Sequence, residues 1–163
     1  MKNIERELSQ KLIEKLSAHS KTISLAESCT GGRISSELSK ISGASRVFLG
    51  SVVSYSNDAK LNILKVKPES LASQGAVSER VAEEMCRGLE LLFRSDYRVS
   101  VTGIAGPTGG TSEKPVGMVC FCFLGPSFQQ TLTKKFGDQL GREEIQKLSS
   151  EFVLKELLKI LET

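Results

Sequence analysis

The stretch TISLAESCTGGRISSELSKISG, residues 22–43, sets the fold class. Thr22 to Ala26 reads as a short strand. Thr30-Gly31-Gly32 then opens a helix that turns Ile34 and Leu38 inward and ends near Gly43. A strand running through a glycine pair into a helix is the unit from which layered α/β domains are built. Working outward, the same alternation recurs. Before the stretch, Lys2 to Ala18 predicts a helix with Ile4, Leu8, Leu12 and Leu16 on one stripe. After it, Val47 to Tyr55 reads as a second strand. Asn57 or Asp58 is placed to cap a helix carrying Ala59, Leu61 and Leu64, which Pro68 ends.

Ser78 and Glu79 then lead into a strong helix with Val81, Met85, Leu89 and Leu92 inward. Three strands follow, Arg98 to Thr102, Gly117 to Leu124 and Phe128 to Lys135. Gly125-Pro126-Ser127 joins the last two as an antiparallel hairpin. A final helix runs from Arg142 to Leu161, with Ile145, Leu148, Phe152 and Leu158 on its buried side. The sum is a three-layer α/β/α sandwich. Its sheet has five or slightly more strands and is mixed but mostly parallel, with the strand order left open.

At 163 residues the chain fits a single domain over residues 1–163 with a full core. The formal charge of +3, with basic residues scattered, gives no nucleic-acid footprint and only a weak pull toward small anions. No apolar run has the length of a membrane span, and the charged, amphipathic start does not resemble a signal peptide. Neither a membrane nor a nucleic-acid partner is expected, and the expected compartment is the cytoplasm. The four cysteines form no dense disulfide framework. Cys120 and Cys122 lie in an apolar run far from His19, the single histidine, and read as buried thiols rather than as a metal pair.

Three loops break the packing pattern. In Ala26 to Gly32, a strand end meets a helix start, where free N–H groups can hold an anion or a developing oxyanion. Ser28 sits at this turn, although pattern alone favours a plain helix cap by Ser28 or Thr30. Cys29 is a weaker rival nucleophile. In Tyr55 to Lys60, a tyrosine and a lysine meet between a strand and a helix. Lys60 works as a base only if its surroundings lower its pKa, and an exposed lysine is the ordinary reading. Thr102 to Thr111, continuing to Gly117, is glycine-rich without being a Walker or Rossmann motif. It reads best as an anion-binding loop.

Together, AESCTGG (26–32), VVSYSNDAK (52–60), GAVSERVA (75–82), TGIAGPTGG (102–110) and KPVG (114–117) resemble the C-terminal domain of the CinA family, the nicotinamide-nucleotide amidases. The resemblance spans nearly the whole chain. It implies hydrolysis of nicotinamide mononucleotide to nicotinic acid mononucleotide and ammonia, with no metal or other cofactor, by a homodimer. It also implies a stand-alone amidase form, since larger members carry an extra N-terminal domain. The family's catalytic serine, tyrosine and lysine fall on Ser28, Tyr55 and Lys60. Neutral Lys60 would take the Ser28 proton directly or through Tyr55. The oxyanion would form near the amides of Thr30, Gly31 and Gly32. The phosphate would sit among Thr102, Gly103, Gly106, Gly109 and Gly110, with Lys114 and Arg142 as counter-charges. One departure stands out: Gln146 occupies the place of an expected second arginine.

Two other classes compete. A non-catalytic module that binds pyridine mononucleotides would use the same glycine loops. An interaction protein of DNA uptake draws no support from the low charge and 6% aromatic content.

Overall fold

The computed structural model describes residues 3–163. Five strands, β1 (Ile23–Glu27), β2 (Phe48–Val53), β3 (Tyr97–Gly103), β4 (Met118–Gly125) and β5 (Phe128–Lys135), form one sheet in the order β2-β1-β3-β4-β5. β1 pairs in parallel with β2 and β3, while β3–β4 and β4–β5 are antiparallel. Four strands therefore share one direction and β4 alone opposes them. The expected hairpin is present: Gly125 pairs with Phe128 across Pro126 and Ser127.

Helices cover both faces. α1 (Ile4–Ala18), α2 (Arg33–Ser39) and α6 (Arg142–Ile160) pack together on one side. There Leu12, Leu16, Ile34, Leu38, Leu154 and Leu157 meet Ile23 and Leu25 of β1 and Phe121 and Phe123 of β4. The other side holds α3 (Asn57–Asn62), α4 (Pro68–Gln74) and α5 (Glu79–Gly88). Val81 and Met85 of α5 pack with Ala26 there, and Ala82 and Cys86 pack with Cys120 and Cys122. Period-two alternation thus sends successive residues of β1 and β4 to different cores. All four cysteines are buried free thiols. No helix among the described residues is long and apolar enough to cross a membrane.

The boundaries differ from expectation where local chemistry left a choice. The first helix begins at Ile4, and Lys2 lies outside the described residues. Ile4 itself is exposed. β2 ends at Val53, two residues before Tyr55. Ser56, not Asn57 or Asp58, caps α3, its Oγ accepting from the Ala59 amide at 3.1 Å. Pro68 starts a helix instead of ending one: it occupies the first turn of α4, where a missing N–H leaves no bond unmade. α5 stops at Gly88, which leaves Leu92 exposed. On α6 the fully buried row is Ile145, Val153, Leu154 and Leu157, with Leu148, Phe152 and Leu158 half-buried beside it.

Gly88 marks the tightest approach of the second core. A Cβ built there would stand 2.0 Å from the Leu64 carbonyl oxygen, so α5 would have to move off the chain that follows α3. Gly88→Ala is expected to destabilise the protein by about 3 kcal/mol, the upper range of overpacking effects. Urea denaturation checks this, and a loss under about 1 kcal/mol would mean that the contact yields easily.

Candidate functional site

β1, β2 and β3 end on the same side of the sheet, and the chain runs from β1 outward to β2 before crossing to β3. That reversal opens a crevice at the carboxyl ends of β1 and β3, the usual ligand position in open α/β sheets. The three loops singled out from the sequence leave these three strand ends. They converge on a cleft of about 240 Å³ whose walls include Ser28, Tyr55, Lys60, Thr102, Gly106 and Arg142. Gly103 and Gly109 also line it.

At its floor, Lys60 Nζ donates to Ser28 Oγ at 2.8 Å and to the Ser54 carbonyl at 2.7 Å. Lys60 is 1% exposed and has no carboxylate partner among the described residues. Burial without a counter-charge disfavours the ammonium and lowers its pKa to about 8. Burial also raises the neighbouring Cys29 thiol to about 12, so Cys29 stays neutral and inert as a nucleophile near neutral pH. Backbone bonds fix both partners: Ser28 N–H donates to the Val101 carbonyl of β3, and Ser54 N–H to the Glu27 carbonyl of β1.

Tyr55 stands at the rim, 56% exposed. Its hydroxyl accepts from Arg142 Nη2, while Arg142 Nη1 donates to the Gly106 carbonyl at 2.7 Å. The direct Lys60–Ser28 contact leaves no gap for a tyrosine relay. Arg142, the first residue of α6, instead ties Tyr55 to the glycine loop across the mouth of the cleft.

The amides expected to form the oxyanion site are largely committed elsewhere. Gly31 N–H donates to the Ser28 carbonyl and Gly32 N–H to Glu27 Oε2. Glu27, fully buried, also accepts from Thr30 Oγ1, the Ile34 amide, and the amide and hydroxyl of Ser35. A carboxylate thus satisfies the start of α2, where a negative charge meets the positive end of the helix. Neither Ser28 nor Thr30 caps this helix. Gly31 and Gly32 are needed for their backbone, at φ +60° and +93°. Removing the carboxylate would orphan buried donors, and Glu27→Ala is expected to destabilise the fold by on the order of 4 kcal/mol. Equilibrium unfolding tests this, and an unchanged midpoint would show that the amides find other partners.

Two further expectations move. Lys114 turns its ammonium to the Gln74 carbonyl, outside the cleft. Gly110 packs against Val116, where a Cβ would meet the Val116 amide at 2.8 Å, and it does not line the cleft. Thr102 does, with its hydroxyl donating to the Ala76 carbonyl at 2.9 Å. The sequence reading missed Ala76 and Val77 as an apolar wall, although they lie in the GAVSERVA stretch. Asn57 also lines the cleft, released from capping by Ser56. Among the described residues no carboxylate or imidazole faces the cleft, and its cationic groups are Lys60 and Arg142.

Comparison with known proteins agrees with this fold. A family model described as the CinA C-terminal domain matches residues 5–161. A CinA-like protein of Prochlorococcus marinus (strain NATL1A) is 47% identical over 147 residues, 90% of this chain and 34% of the relative. The chain therefore spans about a third of the length of the curated relatives it matches. Among solved structures, the competence/damage inducible protein CihA from Agrobacterium tumefaciens superposes with a TM-score of 0.94 at 37% identity, covering 100% of this chain and 98% of that one. A competence or damage-inducible protein from Enterobacter asburiae gives 0.92 at 32% identity, covering 98% and 99%.

Proposed function

The chain belongs to the CinA C-terminal domain family, and on that premise we propose that it hydrolyses nicotinamide mononucleotide to nicotinic acid mononucleotide and ammonia. The observation that carries this reading is the 2.8 Å contact between Ser28 Oγ and a buried lysine that lacks a counter-charge. A serine needs an adjacent base to become a nucleophile, and this cleft presents no histidine.

In this mechanism neutral Lys60 removes the Ser28 proton as Oγ attacks the carboxamide carbon. The carbonyl π electrons move to oxygen. Collapse of the tetrahedral adduct breaks the C–N bond, and the Lys60 ammonium gives its proton to the departing nitrogen, which leaves as ammonia. Water then gives a proton to Lys60 as its oxygen attacks the acyl-serine. Collapse of this adduct breaks the C–Oγ bond, Lys60 returns the proton to Ser28 Oγ, and the carboxylic acid leaves. The pyridinium nitrogen withdraws electrons from the carbonyl. Its positive charge also favours neutral Lys60 through like-charge repulsion. In this reading Arg142 is the cation that meets the phosphate, beside the backbone of the glycine loop.

The direct test is ammonia release from nicotinamide mononucleotide by the purified protein. Turnover at an enzymatic rate supports the reading. Tight nucleotide binding without turnover would make this domain a mononucleotide-binding module instead.

A further inference from the structure

Gln146 lies one turn beyond Arg142 on α6 and donates its Nε2 to the carbonyl oxygen of Cys29 at 2.9 Å. That carbonyl belongs to the central peptide of a turn closed by the Gly31 N–H on the Ser28 carbonyl. In such a turn the central peptide is the one unit that can rotate while its flanks stay fixed. A half-rotation interconverts the type I and type II forms. Peptide planarity sets the Thr30 N–H opposite to the Cys29 carbonyl. A side chain that holds this carbonyl therefore sets where the Thr30 N–H points. Gln146 stands outside the cleft, whereas Ser28 and Cys29 line it. The Thr30 amide also has no acceptor among the described residues, unlike those of Gly31 and Gly32.

We propose that Gln146 is a positioning residue that holds the Cys29–Thr30 peptide with its N–H facing the oxyanion formed on Ser28 attack. Backbone amides beside a nucleophilic serine are a usual source of such a donor, and its value depends on being fixed before charge develops. Thr30 helps, because the flipped turn would force a β-branched residue to positive φ, a conformation it does not adopt here. Gln146 thus adds to an existing bias, and its loss reduces the rate without abolishing it. The substrate in this proposal comes from the amidase reading, whereas the peptide geometry does not.

The experiment compares the wild type with Gln146→Met, which lacks a donor, and Gln146→Arg, which restores one. It reads kcat and KM for ammonia release and the rate at which a fluorophosphonate labels Ser28. That reagent builds negative charge at the same position without a nucleotide. For Gln146→Met, kcat and labelling should both fall about tenfold, with KM within about twofold and the melting temperature unmoved. Gln146→Arg should recover most of both rates. Unchanged labelling, a KM effect at constant kcat, or an arginine variant as slow as the methionine one would overturn the proposal. Gln146-dependent labelling without ammonia release would remove the substrate assignment and keep the positioning role. A wild type that does neither would remove both.

Discussion

Ser28→Ala is expected to lower kcat/KM for ammonia release from nicotinamide mononucleotide by about three orders of magnitude or more, the scale of losing a nucleophile from a cooperating set. Only Oγ is removed. The backbone bonds that shape the turn, from Ser28 N–H to Val101 and from Gly31 N–H to the Ser28 carbonyl, survive in alanine. Lys60 keeps its bond to the Ser54 carbonyl. The variant should therefore melt with the wild type and bind the nucleotide, so the lost rate belongs to the chemical step. Steady-state kinetics beside a thermal melt decides the matter. A variant that keeps a tenth of the activity would mean that water, not serine, attacks the carboxamide.

Lys60→Arg should be nearly as inactive, because a guanidinium stays protonated and cannot serve as the base. The wild type provides its own control through pH. With the lysine pKa held at about 8 by burial, kcat/KM should climb as pH rises toward and through that value, then level off. Stability is linked to the same proton. Below pH 8 the folded and unfolded chains both carry it, so the cost of burying the ammonium is fully present. Between about 8 and the ordinary 10.5 the unfolded chain alone carries it, and folding stability gains about 3 kcal/mol across the window. Buried thiols such as Cys29 act in the opposite direction above their ordinary value near 9. Lys60→Met shares those thiols and lacks the lysine. Urea denaturation of both proteins at pH 7.5 and pH 10 therefore isolates the effect. Parallel pH dependences would show that the ammonium is not destabilised by its site.

Much of the layered fold follows from local signals: glycines, threonines and serines interrupt apolar runs at the strand ends, and the periodicity changes on either side. The strand order does not, because β1 pairs with residues about 25 and 75 positions away and no local pattern encodes which neighbour it takes. In the site, Ser28 and Lys60 are legible by residue type, but their contact depends on Lys60 being buried, which an isolated NDAK segment does not reveal. Glu27 and Gln146 are less visible still. Each acts on backbone groups, and a side chain that bonds to a peptide leaves no complementary residue to look for. Lys114 shows the reverse error: a lysine beside a glycine loop suggests a phosphate ligand, and a nearby carbonyl takes it first.

The pairing of α1 with α6 imposes an order on biosynthesis. Leu12 and Leu16 leave the ribosome first, and Leu154 and Leu157, which share their core, emerge well over a hundred residues later. Until then the share of that face that α6 covers stays open beside α1 and α2. Arg142 and Gln146 arrive with the same late helix, so the Ser28 turn and the rim of the cleft are completed in the step that seals the core. A ribosome stalled before this helix would hold a chain with Ser28 and Lys60 already made and no finished site around them.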